Sequence, residues 1–167
     1  MQTTISTGFP PVERADASVL ILGSLPGQRS IDEQQYYAHP QNAFSRIMRE
    51  IFGIEGDYAS RCQQLADKRI ALWDVLMSSY RPGSMDANIS ISEATPNDFA
   101  SFLEHHQTIR LIAFNGRKAE QLFGRFVEPL GVADDIGRIC LPSTSPAHAS
   151  LSFPRKLAAW REALHGR

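Results

Sequence analysis

The sequence predicts an α/β fold in which helices cover both faces of a central four-stranded parallel sheet. Two observations carry this: four strand-length apolar runs rich in β-branched or aromatic residues, and helical periodicity in the segments between them. Right-handed crossovers between such strands stack the chain into three layers, α/β/α.

The first run covers 19–22. A long loop, 24–41, leads from it to two amphipathic stripes. Phe44, Ile47, Met48, Ile51 and Phe52 recur at i, i+3, i+4, i+7 and i+8 with Gly53 as a stop, and Tyr58, Cys62, Leu65 and Ala66 form the second stripe. Two helices are thus expected between the first run and the second, at 70–75. After a further loop, 77–94, Thr95 and Pro96 read as the N-cap and first-turn proline of a helix that buries Phe99, Phe102 and Leu103. The third run, 109–114, feeds a helix carrying Ala119, Leu122, Phe123 and Phe126. The fourth, 138–141, is followed by a loop, 142–152, and a last helix that opens at Pro154 and buries Phe153, Leu157, Trp160 and Leu164. No repeat, low-complexity tract or linker interrupts the pattern, so one domain is expected over 1–167.

Composition narrows the class. A chain of 167 residues, 43% hydrophobic and 21% charged with 11 Gly and 10 Pro, excludes collagen, coiled coil and wholesale disorder. No apolar run approaches the roughly 18–20 residues of a membrane span, and residues 1–11 lack a charged-then-apolar export signal. Two cysteines, Cys62 and Cys140, make neither a disulfide framework nor a metal cluster; both are expected as buried thiols, and a cytoplasmic protein without membrane contact follows. The net charge of −1 means that any polyanion site must be local, and three lysines among the 17 basic residues favour forked arginine contacts to phosphate.

Sites in such folds lie at the carboxyl ends of the strands, where the long loops begin. The first loop opens Gly23-Ser24-Leu25-Pro26-Gly27, a tight turn whose backbone N–H groups either face a ligand or serve structure alone. It matches neither a dinucleotide nor a triphosphate fingerprint. The same loop continues Tyr36-Tyr37-Ala38-His39-Pro40-Gln41-Asn42-Ala43-Phe44. Asn42 reads either as a helix cap, with His39 in a turn, or as an amide that holds a water or reads a base, beside aromatic faces on which a planar base stacks. Phe114-Asn115-Gly116-Arg117-Lys118 ends a strand in a cap or in a base-reading amide backed by cations. Pro142-Ser143-Thr144-Ser145-Pro146-Ala147-His148 follows the last strand as a rigid loop with small hydroxyl residues suited to a sugar-phosphate backbone.

Taken together, these four stretches resemble the uracil-DNA glycosylase superfamily, and within it the hypoxanthine (DNA-deoxyinosine) glycosylase branch, from about Val19 to Trp160. The resemblance implies a monofunctional DNA glycosylase that flips a deaminated base, most readily hypoxanthine, out of damaged double- or single-stranded DNA. Water attack at C1′ then leaves an abasic site for base excision repair, by a monomer with no cofactor and no metal. It implies Asn42 as the residue that places the water, since Leu25 stands where mismatch-specific relatives carry a water-holding Asn. It implies Tyr37 as the stacking face, Asn115 with Gly23, Ser24 and Leu25 as the base-binding set, and Pro142, Ser143, Thr144, Ser145, Pro146 and His148, with Arg117 and Lys118, as the DNA-binding set. Ser145 to Ala147 fall where relatives carry a wedge. Leu141 stands where classical uracil enzymes carry a catalytic His, His148 stands where this branch is expected to carry Asn, and Ser45 replaces the Trp that usually follows Phe44. Arg46, Arg81, Arg155 and Lys156 are further cations expected near the mouth. Two other readings stay open: excision of uracil or mixed deaminated bases from mismatched DNA, and a nucleotide-binding α/β module without catalysis.

Overall fold

A computed structural model describes residues 5–81 and 86–165. Four strands, β2 (Val19–Gly23), β3 (Ile70–Asp74), β6 (Leu111–Asn115) and β7 (Gly137–Leu141), form a parallel sheet in the order β3-β2-β6-β7. A smaller antiparallel sheet joins β1 (Ile5–Thr7), β4 (Leu76–Tyr80) and β5 (Thr95–Pro96) in the order β1-β4-β5. The helices are α1 (Gln28–Glu33), α2 (Phe44–Phe52), α3 (Tyr58–Asp67), α4 (Phe99–Glu104), α5 (Arg117–Phe126) and α6 (Phe153–Leu164).

Alternation along β2 explains the layers. Leu20 and Leu22 point to one face and pack with Phe99, Phe102 and Leu103 of α4 and Ala119, Leu122 and Phe123 of α5. Val19 and Ile21 point to the other, against Phe44, Ile47 and Met48 of α2, Leu65 of α3 and Trp160, Ala163 and Leu164 of α6. A strand buried on both faces is apolar along its length, and β2, β3 and β6 are apolar up to their last residues, Gly23, Asp74 and Asn115. The chain leaves β2 for β3 on one side and later enters β6 on the other, with the helices after β2 and β6 on opposite faces. The carboxyl ends of β2 and β6 therefore flank the switch point of the sheet, where the departing loops open a crevice.

The four sheet strands and the helices at 44–52, 58–67 and 153–164 follow the sequence expectation. Other elements do not. Thr95 and Pro96 form β5 against β4 and do not open α4; Asp98 caps that helix, its carboxylate accepting from the Ser101 N–H at 3.0 Å. The loop expected at 24–41 contains α1, so three helices separate β2 from β3. The loop expected at 77–94 holds most of β4 and two 3₁₀ turns, and its residues 82–85 lie outside the described residues. Cys62 is half-buried and Cys140 exposed, correcting the expectation of two buried thiols: β7 is an edge strand, and only Leu141 of its five residues is buried. Among the described residues no helix is long and apolar enough to cross a membrane.

Candidate active site

A cavity of about 510 Å³ opens at the switch point, within the roughly 300–1,000 Å³ usual for small-molecule sites. Its wall is made by residues 23–30 after β2, by Tyr36, Tyr37, His39 and Asn42 before α2, by Asp74 at the end of β3, by Asp86, by Asn115 at the end of β6, and by residues 143–148 after β7. The first loop is held from behind. The Val75 and Leu76 N–H groups donate to the Gly23 and Ser24 carbonyls at 2.9 and 3.1 Å, and the Ser24 hydroxyl donates to Asp86 Oδ1 at 2.6 Å. The Arg81 guanidinium, 2% exposed, donates to the carbonyls of Leu25 and Pro26 and lies 4.0 Å from Asp86. Arg81 is thus a structural clamp inside the protein and not the DNA-facing cation expected from its position in the sequence. The Leu25 side chain is buried in the core, which leaves its backbone to line the cavity.

Asn115 is buried, and both ends of its amide are fixed: the Thr144 N–H donates to Oδ1 and Nδ2 donates to Thr144 Oγ1, each at 2.9 Å. It does not cap α5, where Gly116 holds the N-cap position at φ +96° and sits against Ser143; a Cβ there would meet Ser143 Cβ at 3.1 Å. The Thr144 carbonyl also accepts from the Ala43 N–H at 2.9 Å, tying the loop that carries Asn42 to the same residue. Asn42 Oδ1 accepts from the Phe44 N–H at 3.0 Å, an Asx turn at the entrance to α2, while Ala43 occupies the N-cap position. His39 Nδ1 accepts from the Gln41 N–H, as a turn residue would.

Tyr37 adopts a left-handed backbone, φ +56°, sparsely populated for an aromatic residue, and its ring packs on Phe44 with centroids 4.4 Å apart. Among the described residues its buried Oη lies beside the Asn115 amide without a well-formed hydrogen bond, and Asp74 Oδ2 has no partner. Asp74 is 4% exposed; burial, reinforced by the negative charge of Asp86 and opposed by Arg81, pushes its pKa up to about 7. Burial, reinforced by Asp74, raises the Tyr37 phenol well above its ordinary value. Gly23 makes room for both groups, since a Cβ there would fall 2.4 Å from Asp74 Oδ1 and 3.2 Å from Tyr37 Oη.

A second recess, of about 630 Å³, adjoins the first and shares Asn42, Thr144, Ser145, Pro146 and His148 with it. Arg46, Arg49, Arg61 and Lys156 line it, against one acid, Glu55. Arg46 lies 3.7 Å over the Phe153 ring, Arg61 donates to Ser45 Oγ, and Lys156 donates to the His148 carbonyl at 2.6 Å. The fold therefore gathers Gly23, Ser24, Leu25, Tyr37, Asn42, Asn115, Ser143, Thr144, Ser145, Pro146 and His148 at one mouth. Arg117, Lys118 and Arg155 line neither recess, and Pro142 faces a separate apolar hollow with its carbonyl accepting from Trp160 Nε1. Sequence reasoning missed Asp74, Asp86, Arg49 and Arg61. The one available signal was Asp74 itself, a carboxylate ending an otherwise apolar strand. Among the described residues no group of three or more His, Cys, Asp or Glu side chains could hold a metal ion.

Comparison with known proteins gives the family. The model of the uracil DNA glycosylase superfamily matches residues 10–164. Hypoxanthine DNA glycosylase of Methanosarcina acetivorans is 39% identical over 155 residues, covering 91% of this chain and 94% of the relative. Its counterpart in Methanosarcina barkeri is 36% identical over 159 residues, covering 93% and 96%. The solution NMR structure of a candidate uracil DNA glycosylase from Methanosarcina acetivorans superposes with a TM-score of 0.78 at 36% identity, covering 96% of this chain and 99% of that one.

Proposed function

The chain belongs to the uracil-DNA glycosylase superfamily, and from that premise we propose that it is a monofunctional hydrolase excising hypoxanthine from deoxyinosine in DNA. The observation that carries the reading is the meeting of Ser24, Tyr37, Asn42 and Asn115 around one cavity at the switch point, rimmed by the 143–148 loop. Relatives named for the same base align over nearly the whole chain and support it.

Hydrolysis of an N-glycosidic bond passes through an oxocarbenium-like sugar, so the site must stabilise the departing base and place a water at C1′. In this reading the flipped base enters between Tyr37 and the first loop. Beyond its bonds to Thr144, Asn115 keeps one amide hydrogen and one carbonyl lone pair that point to opposite sides of the amide, so it meets either the six-carbonyl or the N1–H of hypoxanthine; adenine presents the opposite pattern at that edge. Backbone N–H groups of Ser24 and Leu25 complete the reading. Asn42, at the junction of the two recesses, places the water, and residues 143–148 grip the backbone while Ser145 to Ala147 fill the vacated stack. Extrusion costs a few kcal/mol, and less for hypoxanthine mispaired with thymine. The lysines, Lys68, Lys118 and Lys156, fall outside this cavity, which favours simple hydrolysis over a Schiff-base lyase step.

Labelled duplexes carrying inosine, uracil or xanthine, incubated with the protein and then treated with alkali, test the proposal. Strand scission at inosine, with faster initial rates than at uracil, is the expected result. Faster cutting at uracil would transfer the activity to that base, and scission at none of the three would leave a binding module.

A further inference from the structure

Two buried polar atoms lining the cavity have no well-formed hydrogen bond among the described residues: Asp74 Oδ2, and Tyr37 Oη, which lies beside the Asn115 amide. Leaving such groups unpaired costs about 1–3 kcal/mol each, so their persistence side by side needs a reason. The Asp74 carboxyl and Tyr37 Oη both border the space above Gly23, the only residue type that leaves it open, because a Cβ would lie 2.4 Å from Asp74 Oδ1 and 3.2 Å from Tyr37 Oη. The charged and titratable groups facing the Asp74 carboxyl are Asp86, Arg81, Tyr36 and Tyr37. Arg81 is held on the Leu25 and Pro26 carbonyls and makes no ion pair with Asp74. A buried carboxyl without a cation in contact is stable as the neutral acid.

We propose that Asp74 is a further catalytic residue of the glycosylase reaction, a carboxylic acid that donates its proton to the purine as it leaves. The proposal rests on the hypoxanthine reading above. As the C1′–N9 bond breaks, its electron pair passes to the base, and the Asp74 O–H bond delivers a proton to N7, the most basic ring nitrogen of the nucleoside. Water forms the new C1′–O bond and gives up one proton, which returns to the Asp74 carboxylate; the sum is deoxyinosine plus water giving hypoxanthine and an abasic sugar. The elevated pKa of Asp74, about 7, suits an acid working near neutral pH.

The test is single-turnover excision from inosine duplexes across pH 5 to 9, with wild type, Asp74→Asn and Gly23→Ala, each checked by thermal melting. Wild type is expected to lose rate as pH rises through about 7, following deprotonation of the acid. Asp74→Asn, nearly isosteric, should be slower by about 10²-fold or more and lack that limb. Gly23→Ala, which drives its Cβ into the carboxyl, should lose the same limb without touching Asp74 chemically. On duplexes carrying 7-deaza-deoxyinosine, where N7 is a carbon, the gap between wild type and Asp74→Asn should close. A rate that climbs with pH through 7, or an Asp74→Asn enzyme with the wild-type rate and profile, overturns the proposal, as does a penalty that persists on the 7-deaza substrate. Failure of wild type to release hypoxanthine while it releases uracil removes the underlying reading, and the proton acceptor with it.

Discussion

Asn115 and Thr144 exchange two hydrogen bonds of 2.9 Å, one from the Thr144 backbone N–H to the amide oxygen and one from the amide nitrogen to the Thr144 hydroxyl. A backbone N–H can only donate, so the amide has one orientation. Its remaining hydrogen and lone pair point to opposite sides of the edge shared with Thr144, and the residue lines the cavity. Removing Asn115 strands both Thr144 groups in a site where Thr144 is 1% exposed. Asn115→Ala is expected to lower stability by about 1–3 kcal/mol per stranded group and to erase the preference for inosine over adenosine. Thr144→Val keeps the backbone bond and should do less of both. Melting curves and single-turnover rates on the two duplexes check the order; an Asn115→Ala enzyme with undiminished preference would remove the residue from base recognition.

Asn42 has a structural duty as well as its proposed catalytic one, and the two are separable. Its oxygen accepts from the Phe44 N–H, and a side chain that closes such a turn at a helix entrance is worth about 1 kcal/mol. A serine also accepts from that N–H but is too short to present an amide to the water. Asn42→Ser should therefore melt near wild type while losing most single-turnover rate, roughly 10²–10⁴-fold, with lesion binding retained. Asn42→Ala should lose the same rate and the turn. Rates near wild type in Asn42→Ser would assign the water to another group.

These two residues also mark the boundary of what the sequence displays. Three strands of the parallel sheet, β2, β3 and β6, are legible because burial on both faces demands apolar runs, and α2 and α6 because one face must be apolar. The small antiparallel sheet is not legible: β1 has three residues, β4 reads Leu-Met-Ser-Ser-Tyr, and β5 exists only because Thr95 and Pro96 meet β4. The Thr-Pro pair matches a helix start locally, and tertiary pairing overrides it. In the site, Asn42, Asn115 and Tyr37 stand out because they sit in loops among unusual neighbours. Asp74 is hidden in an apolar run, and its importance comes from burial, a property of the assembled fold. Arg81 misleads for the same reason, since nothing local distinguishes a buried clamp from a surface cation.

The basic recess beside the cavity gives DNA affinity a location despite a net charge of −1. Arg46, Arg49, Arg61 and Lys156 face one acid there, and the recess runs into the base cavity past Asn42 and the 144–148 loop. Each phosphate neutralised steepens the dependence of log K on log salt by nearly one. Arg49→Ala and Arg46→Ala should each flatten that slope by about one and weaken binding to lesion and undamaged duplex alike, leaving the preference among bases unchanged. Arg155→Ala, outside both recesses, should leave the slope as it is. Fluorescence anisotropy over a salt series reads all three, and an unchanged slope in the first two would place the backbone elsewhere.

Asp74 also sets how stability depends on pH. Its pKa is ordinary, 3.8, in the unfolded chain and about 7 when buried, so the folded state binds the proton more tightly. Stability from this group is complete below pH 4, declines as pH rises from there toward 7, and is lost above, where the unfolded chain ionises freely and the folded one must bury a charge. The gap corresponds to roughly 4 kcal/mol at alkaline pH. Asp74→Asn carries no such proton and should melt higher than wild type at pH 8, with the advantage shrinking as pH falls and vanishing near pH 4. A gain in stability on losing a group in the cavity, together with a loss of excision rate, is the trade-off expected of a group held for chemistry. Thermal melts of the two proteins at pH 4, 6 and 8 measure the difference, and equal melting temperatures at pH 8 would mean that the Asp74 carboxyl is solvated or paired in the folded state.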